Sequence, residues 1–101
     1  MTLFDLINKV LSWADEKGIL KEGNERAQAA KTVEEVNELE SAIIVNDRQE
    51  IKDGIGDALV TLIIQAEMQG FSLAECIDHA HDQIKDREGE MINGTFVKNN
   101  P

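Results

Sequence analysis

Apolar residues recur every three or four positions along most of the chain, a spacing that predicts amphipathic α-helices. Thr2 can cap the first helix and Gly18 closes it, and the following stretch GILKEGN is interpreted as a loop. Ser72 and Glu75 form a capping-box pattern at the start of the last helix. No stretch alternates in the manner of a strand, so the pattern predicts an all-α protein. The four predicted helices cover about 3–17, 25–45, 48–69 and 73–86.

Three short features modify this picture of a plain bundle. Gly54 and Gly56 lie inside the third predicted helix, where each costs roughly 1 kcal/mol relative to Ala. Both glycines therefore suggest the close approach of another backbone or of a ligand. In the C-terminal tail, the Asn-Gly pair at 93–94 is typical of a turn. Phe96 and Val97 are predicted to anchor this tail on the bundle.

The chain has 101 residues, which is enough for a single domain spanning 1–101 but gives only a marginal core. We therefore expect a four-helix domain whose bundle is completed by oligomerisation, as a homodimer or homotetramer. Twenty acidic residues against ten basic ones give a net charge of −10, which disfavours binding to nucleic acid or to anionic membranes. No signal peptide or membrane span is recognisable, so a cytoplasmic protein is expected.

The acidic residues are concentrated on two of the predicted helices. Glu35 and Glu38 project from one face of the second helix, one turn apart, with Glu34 beside them. On the third helix, a single stripe carries Glu50, Asp53 and Asp57. Because a short connection makes these helices antiparallel neighbours, the two acidic stripes can meet across a groove.

Carboxylates converging in this way would provide the oxygen ligands that Mg²⁺ prefers and leave positions open for water and phosphate. Mg²⁺ polarises phosphoryl oxygens and lowers the pKa of a bound water, and a nearby carboxylate can accept that water's proton. Acidic stripes on amphipathic helices are also common as plain solvated surfaces. From spacing alone, both interpretations remain open.

At these residues the sequence resembles the MazG-like members of the all-α nucleotide pyrophosphohydrolase superfamily, especially small phage-type members. Their motifs are EExxE on one helix and ExxD on the next. The first corresponds to KTVEEVNELE and the second to EIKDGIGDALVTLI. When Asp57 is aligned as the motif aspartate, the motif glutamate falls at Gly54, which cannot bind metal. Asp53 or Glu50 is then expected to supply the missing carboxylate. In the alternative alignment the motif is E-I-K-D, with Glu50 and Asp53 one turn earlier.

The resemblance implies cleavage of nucleoside triphosphates to monophosphate and pyrophosphate, often as house-cleaning of the nucleotide pool. It implies Mg²⁺, with Mn²⁺ as an alternative, bound by Glu35, Glu38, Glu50, Asp53 and Asp57. Glu34 and Glu38 are the expected catalytic residues. The expected substrate-binding residues are Lys31, Lys85, Arg87 and Lys98.

A second hypothesis follows from the departure at Gly54. Without the motif glutamate, the chain could be a catalytically inactive acidic helical oligomer that acts as a protein-binding module. Its negative charge would suit the mimicry of nucleic acid. Turnover of nucleoside triphosphates distinguishes the two hypotheses.

Overall fold

The computed structural model describes residues 1–99 and contains five helices followed by a β-hairpin. The predicted all-α class is confirmed, and the boundaries of the four predicted helices agree with the structure to within two residues. The short helix α2 was not predicted. None of these helices is long and apolar enough to cross a lipid bilayer. The elements are α1 (Leu3–Glu16), α2 (Ile19–Glu22), α3 (Glu25–Val45), α4 (Arg48–Met68), α5 (Leu73–Ile84), β1 (Gly89–Ile92) and β2 (Thr95–Lys98).

The helix ends follow the predicted capping chemistry. Thr2 and Ser72 each begin a helix with a complete capping box. Between α3 and α4, Asn46 ends one helix in the left-handed conformation with φ 52°, and the side chain of Asp47 caps the next. This two-residue connection turns the chain back on itself. It makes α3 and α4 the antiparallel pair that the sequence predicted.

Two segments differ from the sequence prediction. Ile19–Glu22 forms one helical turn instead of a loop, after Gly18 has reversed the chain at φ 79°. The tail forms an antiparallel hairpin instead of an irregular segment, with the Asn-Gly pair at its turn. Asn93 and Gly94 both have positive φ, 50° and 84°, as a type I′ turn requires. Each strand has only four residues, which is too short for alternation to be recognised in the sequence.

The hairpin does not anchor on the helices of its own chain, so that prediction is wrong for the single chain. Phe96 and Val97 remain 50% and 41% exposed. Among residues 1–99, the two strands contact each other but pack against none of the helices. The α5 helix likewise packs only against α4. The C-terminal part of the chain therefore projects from the α1–α4 body.

Side-chain hydrogen bonds fix the register of α3 against α4. The Gln28 amide donates to the Thr61 carbonyl oxygen at 3.2 Å, and the Gln65 amide donates to the Glu25 carbonyl oxygen at 2.9 Å. Gly54 lies against Leu39 further along the pair. The close approach expected at Gly54 is confirmed, whereas the one expected at Gly56 is not, because the space beside Gly56 is open.

The core of the single chain is small. Its buried apolar residues include three alanines, and no large side chain in the described part of the chain is fully buried. Many large apolar side chains are exposed instead, on α3 and α4 as well as on α1, α5 and the hairpin. The buried apolar residues are Ala14, Ala42, Ile63, Ile64 and Ala66.

Candidate metal centre

Three glutamates of α3 form one tight group of carboxylates. Glu34, Glu35 and Glu38 each offer an oxygen, and these three oxygens lie within 4.8 Å of one another. Glu34 and Glu38 are exposed, whereas Glu35 turns towards the rest of the fold and is buried. The α-helix brings positions 34, 35 and 38 together because one turn takes 3.6 residues. The structure thus brings together the three acids of the first sequence motif.

The carboxylate of Glu35 has one satisfied oxygen and one unsatisfied oxygen. Its side chain is only 10% exposed, and its Oε1 lies 3.3 Å from the ammonium of Lys31. Its Oε2 is buried and has no hydrogen-bond partner. A buried carboxylate oxygen without a partner is costly, so such groups usually bind a cation or a donor. A hard divalent cation fits this donor set of closely spaced carboxylate oxygens.

Lys31 forms ion pairs with two of these glutamates, Glu34 and Glu35. Its Nζ atom lies 3.3 Å from Glu35 and 3.5 Å from Glu34. The hydrogen bond to Glu35 and the charges of both glutamates raise the pKa of the Lys31 ammonium. Lys31 was predicted to contact substrate, and here it lies at the edge of the carboxylate group, one turn before Glu35.

The carboxyl group of Glu38 lies close to other negative charges of the same helix. The nearby charge of Glu35, followed by partial desolvation, raises the pKa of the Glu38 carboxyl. A carboxylate with a raised pKa accepts a proton more readily than an ordinary one. A cation bound between Glu35 and Glu38 would relieve this repulsion.

The acids of α4 lie along the same helix pair but outside the tight group. By the register of α3 and α4, Asp57 lies opposite the part of α3 that carries Glu35. Glu50 and Glu38 line one open groove of about 430 Å³. Asp53 is exposed and accepts a hydrogen bond from the amide of Gln49 at 3.3 Å. Within residues 1–99, none of these three acids joins a group of three carboxylates within 4.8 Å.

Comparison with known proteins assigns the chain to a family. The family model of the MazG nucleotide pyrophosphohydrolase domain matches residues 24–92, which contain α3, α4, α5 and the first strand. The chain belongs to the MazG family. This match covers both acidic helices and includes all of the candidate metal-binding residues.

One curated relative of this MazG domain is an uncharacterized 18.2 kDa protein of Haemophilus phage HP1, from the rep-hol intergenic region. It is 34% identical over 65 residues, which are 64% of this chain. The match spans 40% of the relative's own length. No solved structure matches the chain.

Gly54, which takes the place of the motif glutamate when Asp57 is aligned as the motif aspartate, lies close to Leu39 of α3. A Cβ atom there would lie 3.1 Å from Cβ and 3.2 Å from Cα of Leu39. These neighbours belong to the α3 backbone or are attached directly to it, so a Cβ atom at position 54 requires α3 to shift by a few tenths of an ångström. The sequence identified the missing glutamate but could not identify Leu39.

The predicted substrate-binding residues of the C-terminal segment lie in a separate place in the MazG domain. Lys85 forms an ion pair with Asp82 at 2.8 Å. Arg87 and Lys98 line an open groove of about 470 Å³ at the end of α5, together with the acids Asp82 and Asp86. Neither α5 nor the hairpin packs against α3, which carries the carboxylate group.

Proposed function

We propose that the chain is a Mg²⁺-dependent nucleoside triphosphate pyrophosphohydrolase that releases a nucleoside monophosphate and pyrophosphate. The observation that carries this proposal is the buried, unpartnered Oε2 of Glu35 within a group of three carboxylates. Membership of the MazG family supports a nucleotide substrate. A role in clearing unwanted nucleotides from the pool is consistent with this chemistry.

The acids divide between metal binding and proton transfer in this proposal. Glu35 and Glu38 hold the metal from α3, and Glu50, Asp53 and Asp57 are the candidate ligands on α4. When bound, Mg²⁺ (or Mn²⁺) would stabilise charge on the phosphoryl oxygens and lower the pKa of a coordinated water. A carboxylate oxygen of Glu34 or Glu38 that is not bound to the metal would accept the proton of the attacking water.

The carboxylates need basic residues to bind an anionic substrate. Lys31 already lies beside Glu34 and Glu35 and can contact a phosphate next to the metal. Lys85, Arg87 and Lys98 lie on elements that do not reach α3 in the single chain. We therefore propose that these three residues contact the substrate held by a neighbouring copy. The functional form is then a homodimer or homotetramer.

An exposed apolar surface on α3 and α4 supports self-association. On each helix these residues recur about every three to seven positions and so share one side of the helix. At 100° of rotation per residue, that side is directed away from Glu38 on α3 and from Asp57 on α4. Groups of exposed apolar side chains on one face often mark an interaction surface. This α3–α4 apolar face consists of Val33, Val36, Ile43, Ile55, Leu59 and Leu62, which are 37–61% exposed.

The test is an assay of the purified protein with a panel of ribonucleoside and deoxynucleoside triphosphates and Mg²⁺, followed by separation of the products. Monophosphate and pyrophosphate are expected, and both should be absent with EDTA and in the Glu38→Gln variant. Release of nucleoside diphosphate and phosphate would show that the enzyme cleaves between the β and γ phosphates instead of between the α and β phosphates. No turnover with either Mg²⁺ or Mn²⁺ would contradict the enzyme proposal and favour the protein-binding module, for which Gly54 in place of the motif glutamate is the supporting observation.

A further inference from the structure

Lys31 and Glu35 form an ion pair that helix stability alone does not account for. The Nζ atom of Lys31 lies 3.3 Å from Oε1 of Glu35, one turn further along α3. On an isolated helix, a lysine four positions before a glutamate is the less favourable order of the two charges. Ion pairs on a helix surface also contribute little to stability in general. The reason for this contact therefore lies in the carboxylates of the metal centre.

The carboxylate of Glu35 needs a positive charge close to it. Its side chain is only 10% exposed, and its Oε2 is buried without a hydrogen-bond partner. Burying a charged group is costly unless an opposite charge accompanies it. The oxygens of Glu34 and Glu38 lie within 4.8 Å and add further negative charge. Lys31 offsets part of this charge in the metal-free protein.

The ammonium of Lys31 is held on the carboxylates without being locked there. Its side chain is 51% exposed, and both of its ion-pair partners, Glu34 and Glu35, belong to its own helix. A lysine side chain is a flexible four-carbon stem that carries three hydrogen-bond donors. The ammonium can therefore leave the carboxylates by side-chain rotation, while the packing of α3 on α4 stays as it is.

This ammonium cannot share the carboxylates freely with a divalent cation. Mg²⁺ binds carboxylate oxygens at about 2.1 Å, so a metal held by Glu35 would lie close to an ammonium that is 3.3 Å from Oε1. Two positive charges at so short a distance repel each other, and more strongly beside a buried group than in water. An ammonium displaced from Glu35 stays within reach of anions that bind next to the metal.

We propose that Lys31 is an exchangeable counter-ion of the metal centre. In the metal-free protein it pairs with Glu34 and Glu35, and it moves to the phosphates of the nucleotide when a divalent cation occupies these carboxylates. The inference rests on the proposed function and adds to it that one lysine serves both states of the site. Lys31 is a positioning residue in the first state and a substrate-binding residue in the second.

The first half of the exchange is tested by urea denaturation, in EDTA and in saturating Mg²⁺ without nucleotide. In EDTA, Lys31→Met should lower the urea midpoint, and it should do so much less when Glu35→Gln is also present, because the ion pair is then already lost. In Mg²⁺, the midpoint of Lys31→Met should equal or exceed that of the unmodified protein. Lys21→Met, which removes an exposed lysine of α2, is the control and should behave alike in both conditions.

The second half is tested by calorimetry in saturating Mg²⁺. The probes are α,β-methylene nucleoside triphosphates, which cannot be cleaved between the α and β phosphates. Lys31→Met should weaken their binding by about tenfold, the usual effect of losing a hydrogen bond to a charged group. Lys31→Arg should retain most of the affinity, because it keeps the positive charge. Lys21→Met should bind the probes like the unmodified protein.

Three results would overturn the inference in distinguishable ways. If Lys31→Met lowers the urea midpoint equally in EDTA and in Mg²⁺, Lys31 stays on Glu35 when the metal is bound. If Lys31→Met binds the probes as tightly as the unmodified protein does, the ammonium does not reach the phosphates. In both cases the proposed function stands. If Mg²⁺ leaves the unmodified protein unchanged and no probe binds, the proposed function itself fails, and the inference fails with it.

Discussion

Gly54 and Leu39 meet where α3 and α4 approach each other, and a Cβ atom on Gly54 would lie only 3.1 Å from the Cβ of Leu39. At this distance a side chain in place of Gly54 requires the neighbouring helix to shift by a few tenths of an ångström. The carboxylates of α4 that remain are those on either side of this contact. Glu50 lies on one side of it and Asp57 on the other.

Two matched substitutions test this contact. Gly56→Ala should raise the free energy of unfolding by about 1 kcal/mol, because alanine favours the helix and the space beside Gly56 is open. Gly54→Ala should instead lower it by about 1–2 kcal/mol, because the methyl group overpacks the contact with Leu39. Urea denaturation measures both values. Equal stabilisation by the two alanines would show that the helices separate easily at Gly54.

Metal binding should depend on Glu35. At a Mg²⁺ concentration one hundred times the dissociation constant, binding stabilises the folded protein by about 2.7 kcal/mol, which thermal melting detects as a higher Tm. Glu35→Gln should abolish this increase, because Oε2 of Glu35 is the buried oxygen that lacks a partner. Glu40→Gln is the control, since Glu40 is an exposed acid of the same helix. A Mg²⁺ response that survives in Glu35→Gln would remove Glu35 from the metal centre.

The charge of Glu38 should make the metal-free protein sensitive to pH. The pKa of Glu38 in the folded protein lies above its ordinary value of 4.5, so the folded state binds this proton more tightly than the unfolded chain does. Stability contributed by this group therefore falls as pH rises from about 4.5 through the folded pKa. In EDTA, Glu38→Gln should match the unmodified protein near pH 3.5 and become the more stable of the two by about pH 7. Thermal melts across this range measure the difference, and a constant difference would contradict the repulsion between Glu35 and Glu38.

Lys31 and the metal should compete for the same carboxylates. Because the Lys31 ammonium lies 3.3 Å from Glu35, its removal in Lys31→Met leaves the group more negative. Mg²⁺ binding, measured by calorimetry, should become severalfold tighter, whereas the KM for nucleoside triphosphate should rise. Lys21→Met, on the separate helix α2, should change neither value. Weaker Mg²⁺ binding in Lys31→Met would contradict this competition.

Self-association should depend on the α3–α4 apolar face. Ile43→Asp and Ile55→Asp each place a charge on this face, where burial in an interface would make it costly. Both variants should dissociate into smaller species with a lower Tm, as light scattering after size-exclusion chromatography would show. Leu3→Asp is the control, because Leu3 is an equally exposed residue at the start of α1. Unchanged mass in both face variants would show that the copies associate elsewhere.

Local sequence features predicted much of the helical part of the fold. Capping residues such as Thr2 and Ser72, and the left-handed positions at Gly18 and Asn46, act within one turn of the chain, so their effect can be recognised without knowing the tertiary structure. The β-hairpin was not predicted, because a strand of four residues is too short to show a recognisable alternation of apolar and polar residues. Its stability depends on cross-strand pairs such as Met91 with Phe96, which become neighbours only after the chain has turned.

The candidate site, like the fold, could be predicted only in part from local sequence features. The sequence by itself determined the group formed by Glu34, Glu35 and Glu38, because residues three and four apart on one helix must lie on the same face. Only the tertiary structure decided that Glu35 is buried with an oxygen that lacks a hydrogen-bond partner, and that Leu39 lies against Gly54. It also decided that Asp57 of α4 and Trp13 of α1 line one open pocket. Those facts depend on how α1, α3 and α4 pack, and helix packing is fixed by contacts between residues far apart in the chain, which no local pattern encodes.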